Sequence, residues 1–305
     1  MSARVVVIGD ALIDELRDDR GVREFVGGAA LNVAVGLTRL SVPTTLIAMV
    51  GDDEAGAHIR TYLADYGVEL IASPSAHGSS RAVSMRNATG EPVYEFNDAA
   101  QARSITFGDA ERAAIRDAVV VAVSCFPLDD SAQTTRLAEA LDASSAMLAI
   151  DPNPRTGMLS DRDEFVRGFE RLAPRAGLVK VGEDDAALLY DQPLDALRAR
   201  LVDLGAAAVL ATEGASGATI EAGDVVVTRP VSDLPGRIVD TMGAGDAAFA
   251  AALAALLDGT PEDEDEWAAT LERAMDVAAA TCRFEGALLR LPESLSGVDM
   301  DRIGT

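Results

Sequence analysis

The chain has 305 residues, 49% of them apolar and 4% aromatic, and carries a formal net charge of −24. That length suits one α/β domain with an insertion, and no apolar run approaches the ~18 residues of a membrane span. So acidic a surface repels nucleic acid and anionic membranes, which are bound through basic patches. Neither is expected as a partner.

The acidic residues are spread along the chain apart from the run Pro261–Trp267, and of the 26 basic residues only Lys180 is a lysine. We expect a surface adapted to high salt, where screening removes the self-repulsion. Two cysteines, Cys125 and Cys282, lie in apolar stretches and predict buried free thiols. His58 and His77, the only histidines, argue against a histidine-rich metal site. The first apolar run is interrupted by Asp10 and Asp14 with no small-residue cleavage site after it, so a cytoplasmic chain is expected.

In chain order, Arg4–Asp10 reads as a buried parallel strand ending at a glycine. Apolar residues at helical spacing from Leu31 to Leu40 predict a helix. A strand at Thr44–Gly51 follows, then a helix closed by Gly67. The runs AVVVAVS, SAMLAID, AGLVKVG and AAVLATEG are further strands, with helices such as SAQTTRLAEALDA and LDALRARLVDLG between them. This alternation predicts a parallel sheet covered on both faces, with the ligand at the carboxyl ends of the strands. Two segments break the rhythm. Glu15–Gly28 holds an Asp-Arg-Gly turn before an extended run, and Arg81–Asp98 reads as a hairpin about Thr-Gly-Glu-Pro. Together they predict a small separate sheet.

The stretch DTMGAGDAAF (Asp240–Phe249) places Gly-Ala-Gly and an acid at the start of an apolar helix. A helix N-terminus presents unpaired N–H groups and partial positive charge. Gly243, Ala244 and Gly245 would let an anion approach the backbone, and Asp246 could act as a base; an acid that merely complements the dipole is the alternative. Neither a P-loop nor a G-x-G-x-x-G fingerprint is present. By their own residue types, Asp14 reads as a turn residue, Asn32 as a helix cap, and Thr212–Gly217 as a glycine-rich turn between strands.

DTMGAGDAAFAAAL closely resembles the C-terminal signature of the ribokinase-like sugar kinases, and GGAALNVAVGLTRL resembles their N-terminal one. VGDDEAG, DPNPR, ATEGASGA and RFEGA follow in the family's order, so the resemblance covers essentially the whole chain. It implies a three-layer α/β/α sandwich with a mainly parallel sheet, in a single domain over 1–305. A small β-sheet lid would come from about 15–28 and 81–98. It implies an ATP-dependent sugar kinase with Asp246 as base and Gly243, Ala244 and Gly245 as anion hole. Asp14, Gly27, Gly28 and Asn32 would hold the sugar, Thr212, Gly214 and Gly217 the nucleotide phosphates and ribose, and Gly286 and Ala287 the adenine. Mg²⁺ would come with ATP and K⁺ could bind near Asp240; lids of this type pair into homodimers. The family's N-x-x-E motif is replaced, with Gly182 at the Asn position and Asp185 at the Glu position, which leaves Asp185 as a candidate for the Mg²⁺ waters. DPNPR is similar to the fructokinase and 2-keto-3-deoxygluconate kinase branches. Asn97 and Asp98 stand where the latter would carry an arginine, so a neutral ketose such as fructose is the first expectation. Arg155 is a candidate contact for a phosphate or carboxylate, and Arg103 lies several residues late to replace the missing arginine. An acidic sugar, ribose or a nucleoside, or a non-catalytic sugar-binding regulator, remain the alternatives.

Overall fold

The computed structural model describes residues 4–18, 21–86 and 92–295. Nine strands make the main sheet: β1 (Val5–Gly9), β4 (Thr44–Met49), β5 (Glu69–Ser73), β8 (Val120–Ser124), β9 (Met147–Asp151), β10 (Ala176–Gly182), β11 (Val209–Thr212), β12 (Ala218–Ala222) and β13 (Val225–Arg229). Their order is β13-β12-β11-β10-β9-β8-β1-β4-β5. From β11 to β5 every pairing is parallel; β12 and β13 run antiparallel at one edge. The strands predicted from β-branched runs are present. The edge hairpin was not predicted as strands, because Gly217 and Gly223 punctuate short, half-polar segments there.

Side-chain alternation along each strand builds two cores. Val5 and Val7 point to one face and Val6 and Ile8 to the other; Val120 and Ala122 oppose Val121 and Val123 in the same way. The first face is covered by α1 (Ala29–Arg39), α2 (Glu54–Asp65), α9 (Ala244–Asp258) and α10 (Glu264–Thr281). The second is covered by α4 (Asp109–Asp117), α5 (Ser131–Asp142), α6 (Arg162–Leu172) and α8 (Leu194–Leu204). Two further helices are single turns, α3 (Asp98–Gln101) and α7 (Glu183–Asp185). The result is a three-layer α/β/α sandwich. Helix α9 packs between α1 and α10, and its residues from Asp246 to Ala254 are all buried. Ala fills six of those nine positions, because close helix neighbours leave little room for larger side chains.

A separate four-stranded sheet, order β3-β2-β6-β7, comprises β2 (Leu12–Asp18), β3 (Gly21–Gly27), β6 (Ser80–Arg86) and β7 (Pro92–Phe96). It is mixed, since β2 and β6 pair in parallel. The two predicted segments therefore do join, but through their first strands. The two turns predicted there, Asp-Arg-Gly and Thr-Gly-Glu-Pro, lie largely outside the described residues. The hairpin ends at Phe96 rather than Asp98: Asn97 caps α3 by accepting from Ala100 N–H at 3.0 Å, and also binds Arg81 N–H and Ser79 C=O.

The small sheet is anchored at its root by Asp53. This residue caps α2 through Gly56 N–H (2.8 Å) and accepts from both Ser79 N–H (2.8 Å) and its hydroxyl (2.6 Å). At the far side Arg23 on β3 pairs with Glu285 at 2.5 Å. Both histidines are exposed. The cysteines are free thiols, but only Cys125 is buried; Cys282 ends α10 at the C-cap and is half-buried. No described helix is long and apolar enough to cross a membrane.

Candidate active site

Parallel register brings the strand ends to one rim. Gly9 lies opposite Ser124, Ser124 opposite Asp151, and Gly182 opposite Thr212. The segments that follow these residues supply the polar groups of the site.

Helix α1 begins at this rim with Gly28 as N-cap, in the left-handed region at φ 112°. A Cβ on Gly28 would lie 2.9 Å from the Asp10 carbonyl oxygen, so the chain needs glycine here. The cap has no side chain of its own. Asp10 supplies it from the end of β1, accepting from Ala30 N–H at 2.9 Å while its carbonyl takes Leu31 N–H. Asn32 is therefore not the cap that its residue type predicts. It sits inside α1 and donates its side-chain amide to Asp246 Oδ2 at 2.8 Å. Asp14 likewise is not in a turn; it lies on β2, with Gly27 opposite Leu12 on β3 and packed so closely that a Cβ would collide with the Asp14 carboxylate.

Helix α9 points its N-terminus at the same place. Gly243 is its N-cap at φ 74°, and Ala244, Gly245 and Asp246 form its first turn. A Cβ on Gly243 would lie 2.6 Å from that of Ala287, which brings the chain around Gly286 and Ala287 against the turn. Asp240 ties these segments together. Its carboxylate accepts from Met242 N–H and from Gly286 N–H, both at 3.0 Å.

Beyond β10 and β11 lie the remaining candidates. Asp185 is buried and accepts from Gly182 N–H at 2.6 Å, closing the turn after β10. Thr212 donates to the Val181 carbonyl at 3.3 Å. Gly214 and Gly217 are both left-handed, at φ 51° and 109°. The C=O of Gly217 accepts from Glu213 N–H, and a Cβ on it would meet Pro230. Of the predicted site residues, Asp14, Gly27, Gly28 and Asn32 gather about the start of α1, Gly286 and Ala287 lie against Gly243 at the start of α9, and Thr212 lies beside Gly182. The Asn32–Asp246 hydrogen bond joins the start of α1 to the start of α9.

Several residues at the centre were missed. Lys180, on β10, is buried and lies 3.2 and 3.3 Å from the two carboxylate oxygens of fully buried Asp151. Its composition signal was available, as the only lysine in the chain. Asp10 had no signal beyond its place after Gly9. Cys125 and Asn153 follow β8 and β9 with left-handed backbones, φ 49° and 41°, a conformation concentrated at functional sites.

Electrostatically the site is a cluster of carboxylates held by few cations. Burial pushes Asp246 above the usual carboxylate range, opposed by the Asn32 hydrogen bond and by Lys180 and Arg155. Burial, with Asp10 and Asp246 nearby, pushes Asp14 up to about 7. Asp10, Asp151 and Asp185 are raised mainly by burial as well. Arg155 remains exposed; desolvation works against its charge, but the carboxylates of Asp246, Asp10 and Asp151 hold it protonated. A buried acid next to a helix N-terminus and two cations can accept a proton while an anion docks on the helix.

The pfkB family carbohydrate kinase model matches residues 2–293. A fructokinase of Rhizobium leguminosarum bv. trifolii is 30% identical over 264 residues, covering 83% of this chain and 79% of the relative. An aminoimidazole riboside kinase from Salmonella enterica, solved with aminoimidazole riboside and an ATP analogue, superposes with a TM-score of 0.79 at 25% identity, covering 96% of this chain and 98% of that one. A fructokinase from Vibrio cholerae O395, solved with fructose, ADP and calcium ion, gives a TM-score of 0.75 at 23% identity over 94% of each chain and shares the fold. With buried acid, glycine-lined helix N-terminus and family match in agreement, the chain belongs to the pfkB family of carbohydrate kinases.

Proposed function

We propose that this kinase transfers the γ-phosphoryl group of MgATP to a hydroxyl of a neutral ketose such as fructose. The carrying observation is Asp246, buried in the first turn of α9 behind Gly-Ala-Gly and held by Asn32. Asp246 takes the hydroxyl proton while the sugar oxygen attacks phosphorus. The P–O bond to the β-phosphate breaks, its electrons leave with ADP, and the proton passes to solvent as product departs. The N–H groups of Gly245 and its neighbours face the charge that builds on the phosphoryl oxygens. Asp14 and Asn32 suit a polyol, which offers donors and acceptors in pairs.

Among the described residues no three carboxylate, thiol or imidazole groups could enclose a metal ion. That donor set fits Mg²⁺, which keeps its waters and binds through substrate phosphates and one or two carboxylates; Asp185, through water, is the candidate carboxylate. Bound Mg²⁺ would neutralise phosphate charge. Asp240 fixes the loop ahead of α9, and a K⁺ ion beside it would act by steadying that loop. The small sheet is read as a lid over the sugar that excludes water. Val22 on β3, 62% exposed, supports dimerisation through that lid.

An acidic acceptor is the second reading. It is favoured by Arg103, whose buried Nε has no hydrogen-bond partner among the described residues, and by Arg155. Against it, these two cations already face Asp10, Asp14 and Asp246, so an added carboxylate would meet net negative charge. Ribose and nucleosides share the same machinery. A binding-only regulator would have no use for Asp246.

ADP release should be measured with MgATP and fructose, ribose, 2-keto-3-deoxygluconate, glucose and adenosine, with and without KCl. Turnover on fructose that collapses in Asp246→Asn supports the proposal. Turnover only on the acid establishes the second reading. Inert, folded protein that binds a sugar would point to a regulator.

A further inference from the structure

The chain uses arginine at 25 of its 26 basic positions and lysine once. That one lysine is buried at the centre of the site. Guanidinium serves every surface role, so an ammonium at position 180 marks a place where a compact point charge is required.

The surroundings say what for. A Cβ on Gly245 would lie 3.2 Å from Lys180 Nζ and 3.4 Å from Cε, so the ammonium lies against the first turn of α9. Any side chain at 245 would crowd it and push it back by a few tenths of an ångström. Among the described residues Asp151 is its sole hydrogen-bond acceptor, at 3.2 and 3.3 Å. Charge-assisted bonds usually close to about 2.7–2.9 Å, so Asp151 holds the ammonium loosely, with both oxygens shared. An ammonium has three donors, and this one has only one carboxylate to satisfy them. A planar five-donor guanidinium would not fit between Asp151 and Gly245 without displacing one of them.

A phosphoryl group docking on this turn meets Asp246 and Asp151, both negative when ionised. The helix terminus offers only about half a positive charge. Lys180 is the cation that touches the turn itself.

We infer that Lys180 is a catalytic residue, whose ammonium contacts the phosphoryl group during transfer and takes up its charge. The inference rests on the kinase reading of the α9 N-terminus. A purely structural lysine would only neutralise Asp151.

Two measurements test it. Lys180→Arg keeps the charge and moves its position. The expected result is a kcat reduced by about 100-fold or more, the usual scale for losing one transition-state donor, with sugar KM changed less than about threefold. A kcat within about threefold of wild type overturns the inference. If the variant fails to fold, wild-type protein labelled with ¹⁵N at the lysine side chain answers the question directly, because its spectrum holds one side-chain resonance. That resonance should move on addition of Mg·β,γ-methylene-ATP, and an unmoved resonance in nucleotide-bound protein overturns the inference. Wild type inert on every sugar would instead count against the kinase reading, while the nucleotide titration would still decide the contact.

Discussion

Asn32 and Asp246, 214 residues apart in sequence, are joined by a 2.8 Å hydrogen bond from amide to carboxylate. The bond engages Oδ2 of Asp246 and fixes the carboxylate's plane, and on the proposed mechanism Oδ1 is the oxygen that meets the hydroxyl. Asp246→Asn removes the basic group and keeps the shape. Turnover should fall about 10²–10⁴-fold while sugar binding, followed by calorimetry, stays intact. Turnover near wild type would remove Asp246 from the proton transfer.

Lys180 and Asp151 make opposite contributions to stability when separated. Lys180→Met leaves Asp151 buried without its cation, which costs about 3–5 kcal/mol by the usual scale for a broken buried pair. The urea midpoint should drop accordingly, and Asp151→Asn in the same chain should restore much of it. Equal instability in single and double variants would show that the pair contributes little.

Asp14 sets a pH dependence. Its folded value is about 7 against an ordinary 3.8, so between those values the folded chain retains a proton that the unfolded chain has lost. Stability must therefore fall as pH rises from about 4 to about 7, and the loss is complete above that. Asp10, Asp151, Asp185 and Asp246 are shifted in the same direction. Asp14→Asn should flatten the fall in Tm across this range without abolishing it. Parallel Tm curves for the two proteins would contradict the assignment.

Gly243 combines a left-handed backbone with a wall at Ala287. Gly243→Ala adds about 1–2 kcal/mol of backbone strain and a collision, so the loop must shift. Nucleotide KM should rise and kcat fall while the sugar dissociation constant, measured alone, stays within about twofold of wild type. An unchanged nucleotide KM would separate this turn from the nucleotide.

The net charge of −24 predicts that KCl stabilises the fold. The Debye length shrinks from about 10 Å at 0.1 M to about 3 Å at 1 M, so Tm should climb steadily across that range. A flat or falling curve would mark an ordinary acidic enzyme.

The order of strands and helices was legible because the strands are short β-branched runs that end at Gly, Ser or Asp, and helix α9 because its glycines precede an unbroken alanine-rich stretch. Roles that depend on distant partners were not. Asn32 has the composition of a cap, but Asp10 does the capping from another strand. Asp14 looks like a turn residue because a half-buried carboxylate in a strand is rare. Lys180 reads as one polar position in an apolar strand, and only the packing of α9 against the rim reveals what its side chain reaches. The parallel pairing of β2 with β6 is invisible locally, since each segment alone shows only its own turn.

The Arg23–Glu285 pair has a mechanical consequence. It is an ion pair by which β3 grips the segment beside Gly286 and Ala287, and both side chains are solvent-exposed, at 36% and 57%. Exposed pairs hold with less than about 1 kcal/mol, little more than thermal energy. Asp53 thus holds the root of the small sheet firmly, while this pair adds a weak catch on β3. On the lid reading proposed above, that catch would set the opening rate, and salt that screens the surface charge would loosen it.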